Sequence, residues 1–247
     1  MTTDQTIVAF DLYGTLLSTD SIVRQLEQHF GQAKAQSISA SWRRYQLEYT
    51  WRLNSMGRYE SFSDITRNSL HHSLMENGSH LHEEYVDRLL QAYDNLSAFP
   101  DVNPTLSRLA TTPGIAAVVF SNGTQSMVSN SVLHSQDLSS HASIFRDIIT
   151  VDHVKQYKPA PAVYKYLAEK MGKTPSQMKD IWLVSSNPFD VVGARSVEMN
   201  AIWVDRAARG WMDATLPSLR PTVIVHQLED TVGVIESLKA NIFRGDR

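Results

Sequence analysis

Short apolar runs punctuate the chain at Ile7-Val8-Ala9-Phe10 and again at 115–120, 148–151, 181–184, 201–204 and 222–225, with helix-like stretches between most of them. Runs of this kind, bounded by turn residues and alternating with helical patterns, read as parallel strands of an α/β sheet. One long interval breaks the rhythm. From about residue 18 to residue 98 no run reads as a strand, whereas Ile22, Leu26 and Phe30 repeat every four residues, Leu47 and Trp51 share that spacing, and Val86, Leu89, Leu90 and Tyr93 mark another apolar face. The expected architecture is an α/β core of residues 1–17 and 99–247, interrupted after its first strand by a helical cap of residues 18–98. The sheet is expected to resume near Phe99-Pro100-Asp101-Val102, and the two crossings would serve as a hinge.

Bulk properties exclude several chemistries. There is no cysteine, which removes disulfides, thiolate nucleophiles, zinc-thiolate sites and iron–sulfur clusters together. A net charge of -3 gives no basic footprint for nucleic acid, so a small-molecule partner is expected. No apolar run approaches the ~18 residues of a membrane helix. Asp4 stands where a secretory leader would carry a basic segment, and a cytoplasmic location is the default expectation.

Ligand sites of open parallel sheets lie beyond the carboxyl ends of the strands, so the residues that follow each run form one candidate set. After the first run come Asp11 and Thr15; after the second, Ser121-Asn122-Gly123; after 181–184, Ser185-Ser186-Asn187-Pro188-Phe189-Asp190; and Lys158-Pro159 precedes a helix carrying Tyr164. Singly these are bland. Asp is favoured in turns, Asn-Gly is a common turn dipeptide, an Asp at a helix start suits the helix dipole, and most Lys residues are solvated. Together they make better sense as a charge-balanced site of two carboxylates and an ammonium. A carboxylate can also act as a covalent nucleophile that divides one displacement into two steps.

The set resembles the four motifs of the haloacid dehalogenase (HAD) superfamily, in the right order. In the insertion, Trp42-Arg43-Arg44-Tyr45-Gln46-Leu47-Glu48-Tyr49-Thr50-Trp51, continued by Met56-Gly57-Arg58-Tyr59, resembles the cap-helix signature of the L-2-haloacid dehalogenases (type II). The resemblance implies a Rossmann-like HAD core with a parallel sheet and an inserted helical cap. It makes Asp11 the nucleophile, with Thr15, Tyr164, Ser185 and Asn187 hydrogen-bonded to the nucleophile, the substrate or Lys158. Lys158 lies between Asp11 and Asp190 and keeps both ionised. The Ser121 hydroxyl and the backbone N–H groups of Leu12 and Tyr13 receive the substrate carboxylate, and Asn122 beside Ser121 belongs to the catalytic set. Arg43 reaches down to assist the departing halide, although by itself it reads as part of a solvated helix face. Tyr13, Leu47, Phe62 and Phe189 line the alkyl side of the pocket or are ordinary core. Two departures bear on specificity: Arg44 stands where Gln is frequent, enlarging the positive field at the mouth, and Phe189 where Trp is frequent.

Phosphatases of the superfamily place a second Asp two residues after the nucleophile as general acid; Tyr13 stands there instead. A phenol with a pKa of about 10 is a poor acid catalyst, but halide is so weak a base that its departure needs no proton. The fourth motif offers a single carboxylate, Asp190, too few hard ligands for Mg²⁺. The expectation is therefore cofactor-free, metal-independent hydrolysis of short-chain L-2-haloalkanoic acids to D-2-hydroxy acids and halide. The reaction would proceed with inversion through an ester on Asp11, in a homodimer. The alternatives are a HAD-type small-molecule phosphatase and a catalytically silent anion-binding homologue.

Overall fold

A computed structural model describes residues 5–245. Its centre is a six-stranded parallel sheet of order β3-β2-β1-β4-β5-β6, formed by β1 (Thr6–Phe10), β2 (Ile115–Ser121), β3 (Phe145–Thr150), β4 (Ile181–Ser185), β5 (Asn200–Val204) and β6 (Val223–Val225). β1 pairs with β2 on one side and β4 on the other. Helices cover such a sheet on both faces, so its inner strands are apolar along their middles: Val8, Ala9 and Phe10 are wholly buried. The chain fills β2 and β3 on one side before crossing to β4 on the other. The carboxyl ends of β1 and β4 thus flank a switch point, where a crevice opens in this kind of sheet. Around the sheet, α5 (Val102–Thr111) packs against α9 (Asp230–Gly245) and α7 (Pro161–Lys170) against α8 (Pro188–Ser196), while α6 (Gln125–Leu133) joins β2 to β3.

Between β1 and β2 lie α1 (Asp20–Phe30), α2 (Gln32–Ser55), α3 (Phe62–Glu76) and α4 (Glu83–Ala92). This helical insertion leaves and rejoins the sheet through a paired stem: the Ser18 N–H donates to Ser97 O at 2.8 Å and the Phe99 N–H to Leu16 O at 3.0 Å. The segment near Phe99 is therefore this stem and the approach to α5, and the sheet resumes only at Ile115. Ile22 and Leu26 of α1 are buried as their spacing predicts, but Leu47 of α2 is half-buried and Trp51 is 41% exposed. The buried face of α2 is instead Ala35, Ile38, Ser41, Trp42, Gln46 and Thr50. Two of its polar members are satisfied against α3, where the Ser41 and Ser73 hydroxyls meet at 2.6 Å and Gln46 Nε2 donates to Thr66 Oγ1 at 2.8 Å, and Thr50 Oγ1 donates to Leu47 O of its own helix at 2.6 Å. Apolar residues hold this face only at Ala35, Ile38 and Trp42, and polar hydrogen-bonded ones continue it, so the apolar spacing of Leu47 and Trp51 marks a different face. Among the described residues, no helix is long and apolar enough to cross a membrane.

Candidate active site

Asp11 is the first residue beyond β1 and still rides on the sheet, its N–H donating to Val184 O at 3.0 Å. The chain then folds back tightly, with Leu12 O accepting from the N–H groups of Thr15, Leu16 and Leu17. Gly14 occupies the turn at φ +85°, a conformation that glycine adopts without the Cβ penalty. The reversal returns Thr15 to the carboxylate, where Thr15 Oγ1 donates to Asp11 Oδ2 at 2.7 Å. From β4, Ser185 Oγ donates to the same oxygen at 3.2 Å and Asn187 Nδ2 at 2.7 Å. Asn187 is itself held by its N–H to Ser185 Oγ and by a second Nδ2 bond to Tyr13 O.

Lys158 lies on the other side of the carboxylate, 1% exposed. Its ammonium donates to Asp11 Oδ1 at 3.2 Å, to Asp190 Oδ2 at 2.8 Å and to Phe120 O at 2.8 Å, which uses all three of its hydrogens. Asn122 fixes the lysine's backbone, with Oδ1 accepting from the Lys158 N–H at 2.9 Å. Burial, reinforced by the Asp11 charge, raises the Asp190 carboxyl to about 6 against the opposing pull of Lys158. Tyr164 donates to Asp190 Oδ1 at 2.7 Å, and burial, with Asp190 beside it, pushes its phenol well above the ordinary range and keeps it a donor. This contact requires Gly193, since a Cβ there would lie 2.3 Å from the Tyr164 oxygen. Tyr164 thus serves Asp190, a different partner from the three expected for it.

The insertion closes the site. Arg43 of α2 donates to Gln46 Oε1 at 2.7 Å and reaches Asn187 Oδ1 at 3.4 Å, so a permanent cation stands one side chain away from the nucleophile. Tyr13 is buried, stacked on Phe62 at 5.9 Å and edge-on to Tyr93, which joins the β1 loop to the insertion. Phe189 is half-buried, with the Trp51 ring edge-on to it at 5.5 Å. Ser121 is buried at the end of β2, its hydroxyl accepting from the Gly123 N–H at 3.1 Å. Arg44 does not enlarge the field at the mouth: it is exposed and ion-paired with Glu76 at 3.0 Å.

A family model of haloacid dehalogenase-like hydrolases matches residues 6–198. The chain belongs to that family. It is similar to (S)-2-haloacid dehalogenase H-109 of Pseudomonas putida, 37% identical over 81% of this chain and 85% of that one. It is likewise similar to (S)-2-haloacid dehalogenase 1 of Pseudomonas sp. (strain CBS-3), 34% identical over 80% and 83%. Among solved structures it resembles the L-2-haloacid dehalogenase of Xanthobacter autotrophicus with chloropropionic acid covalently bound, with a TM-score of 0.77, 28% identity, and coverage of 94% of this chain and 98% of that one.

Sequence reasoning missed two supports of this haloacid dehalogenase-like hydrolase. Arg206, just beyond β5, donates to Thr15 O at 2.8 Å and to Ser186 Oγ at 3.2 Å, and is gripped by both oxygens of Asp101. The residues just beyond β1, β2 and β4 supply the site, and the same position beyond β5 holds Arg206. Gln46, which orients Arg43, had a weaker signal, its position three residues on along one helix face.

Proposed function

We propose that this chain is an (S)-2-haloacid dehalogenase that hydrolyses short-chain L-2-haloalkanoic acids to D-2-hydroxy acids through an ester on Asp11. The observation that carries the reading is the line Arg43–Asn187–Asp11, which sets a permanent cation one side chain away from a fixed carboxylate. The names of the relatives point the same way. Asp11 Oδ2 already accepts three hydrogen bonds, whereas Oδ1 accepts only from Lys158 among the described residues, which favours Oδ1 as the attacking atom. It displaces halide from C2 in line, forming the ester C–O bond as the C–halogen bond breaks and inverting the carbon. Arg43 takes up the charge developing on the halide. Water then adds to the Asp11 carbonyl carbon, one proton passing to the Asp190 side; the ester C–O bond breaks as that proton is returned to the leaving alkoxide oxygen, and the second proton of the water is released to solvent as the Asp11 carboxylate is restored. Ser121 and the backbone of the β1 loop are assigned to the substrate carboxylate, and Tyr13, Leu47, Phe62 and Phe189 to the walls.

Lys158 occupies the space between the two carboxylates that a dication would require, so the donor set fits metal-independent chemistry. The test is halide release from L-2-chloropropionate, against the D-enantiomer and p-nitrophenyl phosphate, before and after exhaustive chelation. Release from the L-enantiomer alone, unaltered by chelation, is expected. Phosphate release, or a loss restored by Mg²⁺, sinks the reading.

Hydrolysis of the ester needs Asp190 ionised, and its carboxyl is raised to about 6. Esterification of Asp11 removes one of the influences that raise Asp190, so we expect kcat to fall on acidification with a limb below about 6 and to be level above it. An acid limb that persists unchanged in Asp190→Asn would remove Asp190 from this role.

Residues 18–98 are assigned as a cap and 1–17 with 99–247 as the core, in a cytoplasmic homodimer. Light scattering at micromolar concentration should return twice the mass of the 27.8 kDa chain, and a monomer refutes the dimer.

A further inference from the structure

The loop that presents Lys158 is gripped from both sides. Between β3 and α7 it has no strand partner, so its buried polar groups need other ones. On the core side, Asn122 Oδ1 accepts from the Lys158 N–H. On the insertion side, Asn54, near the end of α2, takes both backbone groups of the preceding residue: its Oδ1 accepts from the Tyr157 N–H at 2.8 Å and its Nδ2 donates to Tyr157 O at 2.7 Å. Three consecutive backbone groups leading into Lys158 are thus held by two carboxamides, and Pro159 has no N–H to hold.

The surrounding contacts reinforce the grip. The Tyr157 hydroxyl donates to Glu60 O at 2.5 Å, the Tyr59 ring stacks on Tyr157 at 5.2 Å, and the Tyr59 hydroxyl donates to Asp152 Oδ1 at 2.5 Å. Asp152 in turn accepts from the Gln125 N–H at 2.8 Å, which ties the same cluster to the start of α6. The insertion is therefore fastened far from its stem, and the fastening lies one residue from the ammonium that bridges Asp11 and Asp190.

We propose that Asn54 is a positioning residue for Lys158, setting through the Tyr157 backbone the distance of its ammonium from the two carboxylates. Three acceptors at 2.8 to 3.2 Å leave that ammonium little latitude. The insertion then has two duties, carrying Arg43 to within one side chain of the nucleophile and bracing Lys158. Only the activity readout of this proposal rests on the dehalogenase reading.

The test compares the wild type with Asn54→Ala and with the near-isosteric Asn54→Asp, which can accept from the Tyr157 N–H but has no hydrogen for Tyr157 O. Asp190 is surrounded by Lys158, Asp11 and Tyr164, and Lys158 lowers its pKa. A loosened ammonium therefore moves the Asp190 midpoint upward, by about half a pH unit or more, in a carboxyl ¹³C NMR titration. Halide release should show kcat about tenfold lower with KM nearly unchanged, the pattern of a displaced catalytic group. If either variant folds with a lower melting temperature yet keeps the wild-type midpoint and kcat, Asn54 merely joins insertion to core and the proposal is overturned. If the wild type releases no halide, the functional reading fails, and the Asp190 midpoint still decides the role of Asn54.

Discussion

Asp11→Asn should abolish halide release, by roughly 10⁴-fold or more, while leaving the fold in place; losses of that order accompany removal of a covalent nucleophile. The change is isosteric and removes one negative charge. Thr15, Ser185 and Asn187 all donate to Oδ2, and Lys158 donates to Oδ1. An amide cannot satisfy both sides. With its oxygen toward the three donors, its NH₂ faces the ammonium; flipped, the NH₂ faces the three donors. Some local stability is lost, yet the repulsion between Asp11 and Asp190 also disappears, so the net change in melting temperature should be small beside the loss of activity. Halide release with circular dichroism on the same sample checks both parts. For the wild type, one turnover in ¹⁸O-labelled water with enzyme in excess should place the label in Asp11, detectable by peptide mass spectrometry. Label found first in the hydroxy acid, or a variant active within tenfold of wild type, rules out the ester.

How much of this was legible depended on where each residue sits in the sheet. β1, β2 and β4 are buried on both faces, and their apolar runs marked them to within a residue. β3 is an edge strand that begins at Phe145, three residues before its apolar run, because Arg146 and Asp147 are exposed there and break the pattern. The site followed the same logic. Asp11, Ser121 and the residues around Asn187 and Asp190 come from strand ends, a local property that sequence displays, and their order matched a family pattern. Arg206 obeys the same rule at the end of β5. Asn54 left no such mark: it meets Tyr157 across 103 residues, and nothing in a helix ending Leu53-Asn54-Ser55 announces a distant backbone partner.

Lys158→Met should cost both activity and stability, and the stability loss should depend on pH in a direction fixed by Asp190. The methionine fills much of the same space without the charge, leaving Asp11 and Asp190 in a buried site without the ammonium between them. Removing one partner of a buried ion pair costs about 3–5 kcal/mol, because the remaining charge has lost its compensation. The Asp190 carboxyl already stands at about 6, above its ordinary value of 3.8, and losing Lys158 takes away a lowering influence, so it rises further. A carboxyl raised in the folded state binds its proton more tightly there than in the unfolded chain. Its destabilising effect is therefore fully present above the folded pKa and relieved as pH falls through it. Urea unfolding should show a large deficit against wild type at pH 7.5 that shrinks at pH 5. Adding Asp190→Asn to Lys158→Met should recover much of the deficit at pH 7.5, while halide release stays at the level of the single variant. A deficit equal at the two pH values, or no recovery in the double variant, would mean that Lys158 acts through packing and its bond to Phe120 O. The charge balance inferred for the site would then be wrong, since a packing defect has no reason to follow the protonation of a carboxylate.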